Sequence, residues 1–134
     1  MGPTPIRVAI IEESPKFRRM LIKILGKEPD VIVVAEAENG TSMMDSLEQQ
    51  RPDVILMDIK EPFTESLETT SRIIGKFPNT RVILLSRHSK SSTAASFCEE
   101  WACYFLCDDC SPKKILAAIR ETSSIQEKHA SPEL

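Results

Sequence analysis

The sequence lacks any long hydrophobic run, any excess of positive charge, and any cysteine outside one short segment. No stretch approaches the roughly 18 apolar residues of a membrane-spanning helix, and residues 1–5 have neither the charged nor the apolar region of a signal peptide. The net charge of -3 gives no electrostatic reason to expect nucleic-acid binding. We therefore expect a cytoplasmic protein that contacts neither a membrane nor a nucleic acid directly.

The composition is that of one globular domain. The chain has 134 residues, which is enough for one substantial core but too few for two domains of ordinary size. Hydrophobic residues make up 41% and charged residues 28%, as in folded proteins. We expect an N-terminal extension at residues 1–5, the domain at residues 6–120, and the end of the last helix with a polar tail at residues 121–134.

Short apolar runs alternate with helical patterns along the chain. The apolar runs predict five strands, at Val8–Ile11, Val31–Ala35, Val54–Met57, Val82–Leu85 and Tyr104–Cys107. A stretch with apolar residues at helical spacing follows each run, and the first and last of these stretches begin with a Ser-Pro pair, which is typical of a helix start. Because strands alternate with helices, the sequence predicts an α/β fold with a parallel sheet covered on both faces.

Oxygen-bearing side chains follow three of these apolar runs. Glu12 and Glu13 follow the first run, Asp58 follows the third, and Ser86 follows the fourth. In open parallel sheets, ligands bind outside the carboxyl ends of the strands. If the three strands are neighbours in the sheet, the four side chains converge on one site.

Four segments together resemble the receiver domain of two-component response regulators, over roughly residues 6–120. They are residues 8–14 (VAIIEES), residues 53–62 (DVILMDIKEP), residues 81–86 (RVILLS), and the Ser111-Pro112 pair ahead of the last helix. The resemblance implies a flavodoxin-like, doubly wound sheet of five parallel strands in the order 2-1-3-4-5, with five helices.

The resemblance also implies a signalling switch and not an enzyme. Asp58 matches the aspartate that accepts a phosphoryl group from a sensor histidine kinase or a phosphotransfer protein. Glu12, Glu13 and Asp58, with the backbone carbonyl of Lys60, match the positions that bind Mg²⁺. The carboxylate of Asp58 is expected to act as a nucleophile once the surrounding negative charge is neutralised.

Two further positions match residues that transmit the signal in this family. Ser86 matches the hydroxyl residue that contacts the phosphoryl group, and Phe105 matches the aromatic residue that changes its rotamer in response. The resemblance implies that the fourth helix, the fifth strand and the fifth helix then contact a downstream protein or a second copy of the chain.

Two features depart from the family's pattern. The acidic pair usually contains an Asp, and here both residues are Glu, which is expected to weaken the binding of Mg²⁺ because this ion demands regular octahedral geometry. The family's lysine after the fifth strand is also absent. Asp108 stands at its position, or Cys107 if the alignment shifts by one residue. Arg87 is the candidate for a substitute cation at the phosphate, or it pairs with Asp108 and closes the pocket without phosphate.

Two alternatives to a phosphorylated switch stay open. In the first, the protein is a degenerate receiver that serves as an interaction module without phosphate control, which Asp108 favours. In the second, Cys98, Cys103, Cys107 and Cys110 form a metal or redox sensor. Cys107 and Cys110 have the two-residue spacing of zinc ligands, whereas Cys98 and Cys103 do not. Packing in the core is therefore the favoured interpretation of the cysteines.

Overall fold

The computed structural model of the protein describes residues 4–60, 63–86, 92–101, 103–107 and 110–130, with the backbone alone for residues 124–130. Within this part of the chain, five strands alternate with five helices. The strands are β1 (Ile6–Ile11), β2 (Val31–Ala37), β3 (Val54–Asp58), β4 (Arg81–Ser86) and β5 (Tyr104–Cys107). The helices are α1 (Pro15–Gly26), α2 (Gly40–Gln50), α3 (Thr64–Lys76), α4 (Ser92–Trp101) and α5 (Pro112–Ala130).

The strands form one parallel sheet in the order β2-β1-β3-β4-β5, which confirms the predicted topology. Each predicted apolar run lies within a strand; β1, β2 and β4 extend the predicted runs by two residues each, and β3 extends its run by one. The order reverses between β1 and β3, because the chain first adds β2 on one side and later adds β4 and β5 on the other. A crevice for ligands forms at such a reversal in open sheets.

Alternation along the strands divides the apolar side chains between two cores. On one face of the sheet, the buried strand residues pack beneath α2, α3 and α4; they include Ala9, Ile11, Ile55, Met57, Val82 and Leu84. On the other face, the buried strand residues pack beneath α1 and α5; they include Val8, Ile10, Val54, Leu56, Ile83 and Leu85. Because successive side chains point to opposite faces, both faces must be covered, and the continuous apolar runs follow from this requirement.

Two of the helices, α1 and α2, begin at side-chain caps. The Ser14 Oγ atom accepts a hydrogen bond from the Phe17 N–H at 3.2 Å, and proline occupies the first turn of α1. The Asn39 Oδ1 atom accepts from the Ser42 N–H at 2.8 Å and starts α2 in the same manner. The first residue of α2, Gly40, lies so close to α3 that a Cβ atom there would overlap the Cγ2 atom of Thr69. A small residue at this position therefore allows α2 and α3 to approach each other.

The last helix extends beyond its apolar stripe. The sequence predicts the end of this helix and a polar tail within residues 121–134, and α5 continues to Ala130. Thr122 is 6% exposed and follows Ile119 by three residues, so it continues the buried face of the helix. A search for aliphatic residues at helical spacing misses this buried position, because threonine is not counted among the apolar residues. None of the described helices is long and apolar enough to span a membrane.

An ion-pair cluster fixes α5 to the turn before β2. The Arg120 guanidinium donates to both carboxylate oxygens of Asp30, at 2.8 Å and 2.9 Å, and to Glu28 Oε1 at 2.8 Å. The hydrogen bonds from Arg120 lower the pKa of the Asp30 carboxyl group. Residues 90 or more positions apart in the chain are thereby joined at the surface.

Candidate functional site

Strand register brings three of the predicted site residues to one edge of the sheet. The pairing of β1 with β3 ends with Met57 opposite the last residue of β1, so Glu12 follows at the level of Asp58. Asp58 itself pairs with Leu85 of β4, so Ser86 follows one residue further along that strand. These three residues therefore occupy neighbouring backbone positions at the carboxyl ends of three adjacent strands.

These strand ends open into a cleft of about 910 Å³. Its lining includes Asp58, Glu13 and Lys60, and the first residues of α2 and α3. The acidic residues of the described lining are Glu13, Glu38, Asp58, Glu65 and Glu68. Lys60 is the one basic residue in this described lining. An additional anionic group at Asp58 would therefore need a counter-charge, although the two helix N-termini contribute partial positive charge.

The two glutamates of the acidic pair have different environments. Glu12 is 1% exposed, and its Oε2 atom accepts a hydrogen bond from the Ser14 N–H at 2.8 Å. Its backbone carbonyl accepts from the Arg18 guanidinium at 2.6 Å. The side chain of Glu13 is 74% exposed, and its Oε1 atom lies 3.4 Å from Lys60 Nζ. Glu12 thus stabilises the turn between β1 and α1, while Glu13 faces the cleft.

The chemistry of these donors suits a hard cation. Glu12, Glu13, Asp58 and the Lys60 carbonyl offer only oxygen atoms, which Mg²⁺ prefers. Among the residues that the structure describes, however, no three Asp, Glu, His or Cys side chains are grouped closely enough to hold an ion. The Glu13 carboxylate would have to exchange its contact with Lys60 for a contact with the metal. The four ligand assignments therefore stay predictions, and the side chain of Lys60 is a participant that sequence reasoning missed.

The other predicted site residues lie within β4 and β5 or follow them in the sequence. Ser86 is buried and pairs with Cys107 of β5. Phe105 is half-buried, pairs with Leu84, and packs against the core beneath α2, α3 and α4. The phosphate-contacting role of Ser86 and the switching role of Phe105 stay predictions. Arg87 and Asp108 lie outside the described residues.

The structure divides the four cysteines into separate environments. Cys98 and Cys103 pack on the face of α4, and their Sγ atoms lie 2.6 Å apart. Cys107 ends β5, and Cys110 packs with the core on the opposite face. Cys98 and Cys103 are therefore in contact, although Cys107 and Cys110 have the spacing of zinc ligands. The sequence does carry a signal for the contact between Cys98 and Cys103. They are five residues apart across the end of α4, and residues with this separation often touch in a Schellman motif.

Fold and site together define a class of signalling domain. The family model of the response regulator receiver domain matches residues 8–120, and the chain therefore belongs to this family. A receiver domain protein of the CheY-like type from Methanospirillum hungatei JF-1 has the same fold, with a TM-score of 0.81. The two chains are 20% identical over 94% of this chain and 99% of that one.

Curated relatives are more similar in sequence and considerably longer. The transcriptional regulatory protein DegU of Brevibacillus brevis is 31% identical over 115 residues, which are 86% of this chain and 49% of that protein. A protein-glutamate methylesterase/protein-glutamine glutaminase of Myxococcus xanthus (strain DK1622) is 35% identical over 71% of this chain and 28% of its own length. The chain thus spans half or less of these two relatives.

Proposed function

We propose that this receiver domain is a phosphorylation-controlled switch in which Asp58 accepts a phosphoryl group from a sensor histidine kinase or a phosphotransfer protein. The observation that carries the proposal is the position of Asp58. It ends the central strand β3 at the level of Glu12, next to the strand that ends in Ser86, and it lines the 910 Å³ cleft. A phosphoryl donor can reach a half-buried carboxylate at this place.

The reaction transfers one phosphoryl group between two nucleophiles. An Oδ atom of Asp58 forms a bond to phosphorus while the bond between phosphorus and the donor's imidazole nitrogen breaks, and the imidazole then takes up a proton. Because the carboxylate and the phosphoryl oxygens repel each other, the transfer needs positive charge in the cleft. Bound Mg²⁺ would supply that charge, with Glu12, Glu13, Asp58 and the Lys60 carbonyl as its ligands.

The signal then passes to the surface formed by α4, β5 and α5. The Ser86 hydroxyl group would donate a hydrogen bond to the phosphoryl group, with Arg87 as the substitute for the missing lysine. A rotamer change of Phe105 would follow, since this half-buried ring lies in β5 and packs beside the core of α4. A downstream protein or a second copy of the chain would bind the altered surface. The partner, like the kinase, would be met inside the cell.

A degenerate receiver is the second candidate, and the residue at position 108 favours it. Replacing the family's lysine by Asp108 removes an attraction and adds a repulsion. Two unit charges about 5 Å apart interact by roughly 3 kcal/mol at an effective dielectric constant of about 20. The four other carboxylates of the described cleft lining act in the same direction. In this case the surface of α4, β5 and α5 binds its partner without phosphate.

Intact-mass spectrometry after incubation with Mg²⁺ and acetyl phosphate distinguishes the two candidates. A switch gains the mass of one phosphoryl group, and the gain disappears in Asp58→Asn, which keeps the shape of the side chain. Beryllofluoride provides a second test, because it mimics the phosphoryl group without a transfer step. If the wild-type chain responds to neither reagent and Asp108→Lys responds to both, the chain is a degenerate receiver.

A further inference from the structure

The end of α4 and the start of β5 are joined by two contacts between the same two residues. The backbone N–H of Cys103 donates to the carbonyl oxygen of Cys98 at 3.0 Å. The Sγ atoms of these residues lie 2.6 Å apart. The backbone bond has the spacing of the six-to-one bond in a Schellman motif, in which the two joined residues also touch through their side chains. The local fold at the helix end therefore brings the two thiols together.

The sulfur atoms are close to covalent distance. A disulfide bond is about 2.05 Å long, so the observed separation exceeds it by about 0.5 Å. Both residues are free cysteines. The backbone hydrogen bond between Cys103 and Cys98 also holds the two residues side by side. By contrast, Cys110 packs with the core on the opposite face of the sheet.

The two thiols differ in access to solvent and in protonation. Cys98 is 6% exposed, whereas Cys103 is half-buried. The hydrogen bond between the two sulfur atoms lowers the pKa of the Cys103 thiol and, together with burial, raises the pKa of the Cys98 thiol. Cys103 is therefore the thiol that ionises first and that a reagent reaches first. Cys98 lies behind it as the resolving thiol.

We propose that Cys98 and Cys103 are a redox modification site that forms a reversible disulfide by exchange with a low-molecular-weight disulfide. The Cys103 thiolate attacks one sulfur of the reagent, forms a mixed disulfide, and releases the other half as a thiolate. Cys98 then attacks Cys103 Sγ, forms the internal disulfide, and releases the second half. Two protein thiols are oxidised by two electrons, one reagent disulfide is reduced to two thiols, and the two protons pass to the released thiolates.

The internal disulfide would link the last turns of α4 to the first residue before β5. It acts on the segment that leads directly to Phe105, which packs on the same face as Cys103. The surface formed by α4, β5 and α5 would then respond to the thiol redox state independently of any phosphoryl group. The inference goes beyond the proposed switch and does not depend on it.

The test uses the whole chain in glutathione buffers with an increasing share of the oxidised form. Free thiols are blocked with N-ethylmaleimide at each step, and the positions are read by peptide mass spectrometry. We expect Cys98 and Cys103 to lose their label together, in a cross-linked pair that dithiothreitol reverses. Two of the four cysteines then remain labelled. Labelling of Cys98 and Cys103 across the whole range, or a link from either one to Cys107 or Cys110, overturns the proposal.

Two variants separate the roles of the thiols. In Cys98→Ala, the attack by Cys103 still occurs but cannot be resolved, so one glutathione is expected to remain on Cys103. The matched control, Cys107→Ala with Cys110→Ala, leaves the pair intact and should form the same disulfide as the wild type. Loss of the disulfide in this double variant contradicts the assignment of Cys98 and Cys103 as the pair. If Cys98→Ala fails to fold, peptide mass spectrometry of the oxidised wild type still shows whether the two residues are linked.

Discussion

The ammonium group of Lys60 lies 3.4 Å from Glu13 Oε1 in the described lining of the cleft. The two residues are 47 positions apart and meet because β1 and β3 are neighbours. Both side chains are substantially exposed, at 45% for Lys60 and 74% for Glu13. The pair is therefore weak and exchangeable. It places a competing cation next to a predicted metal ligand, and it supplies part of the positive charge that a phosphoryl group would need.

Removal of this competing cation should strengthen metal binding. We expect Lys60→Met to raise the affinity for Mg²⁺ by no more than about five-fold, because an exposed ion pair contributes at most about 1 kcal/mol. Isothermal titration calorimetry measures the change. Lys76→Met is the matched control, since Lys76 ends α3 and pairs with Glu48 at 3.7 Å. Weaker binding in Lys60→Met would mean that the ammonium group assists the site.

The contact between α2 and α3 depends on a missing side chain at residue 40. We expect Gly40→Ala to lower the free energy of unfolding by about 1 to 2 kcal/mol, because the added methyl group overlaps Thr69 Cγ2. Urea denaturation measures the loss. Thr69→Ser removes that Cγ2 atom and should restore most of the stability when combined with Gly40→Ala. The control is Gly75→Ala in α3, where a Cβ atom meets nothing within 4 Å and should be neutral or stabilising. Equal losses at both glycines would contradict the packing argument.

The ion pair between Arg120 and Asp30 should make stability depend on pH in the acid range. The pKa of Asp30 is lowered in the folded state, so the pair stabilises the fold above the ordinary carboxyl pKa of about 4. This contribution is lost as the pH falls through the lowered value. We expect Arg120→Met to reduce the free energy of unfolding by at most about 1 kcal/mol at neutral pH, because the pair is exposed.

The free energies of unfolding of the wild type and Arg120→Met, measured at low pH, provide the control. The difference between the wild type and Arg120→Met should shrink once Asp30 is protonated in both folded chains. Asp30→Asn should reproduce most but not all of the neutral-pH loss, because Arg120 retains its bond to Glu28. A difference that is constant from neutral pH to pH 2 would show that lost packing, and not charge, explains the effect.

The cap of α1 should contribute to both stability and the geometry of the site. We expect Ser14→Ala to destabilise the protein by about 1 kcal/mol, because the Phe17 N–H loses its acceptor. Ser14→Asp should retain the cap. The backbone N–H of Ser14 still donates to Glu12 in both variants, so a stability loss confined to the alanine variant identifies the hydroxyl group as the cause. Thermal unfolding measures the stability of both variants.

Local patterns in the sequence predict the strands and helices and the place of the candidate site. Continuous apolar runs require burial on both faces of a sheet, and their ends locate Glu12, Asp58 and Ser86 without knowledge of any distant contact. The strand order followed from the resemblance that these segments carry, and the structure has that order. Hydrophobic periodicity and the ends of strands depend on residues close together in the chain, so they can be predicted from a single sequence.

Local patterns do not show which side chains meet once these elements have packed together. Spacing along the chain favoured Cys107 and Cys110 as a pair, whereas a helix end brings Cys98 and Cys103 together. The partner of Glu13 is likewise set by strand adjacency, and the buried face of the last helix extends to Thr122. These outcomes depend on side-chain direction and on contacts between distant segments, which hydrophobic patterning does not encode.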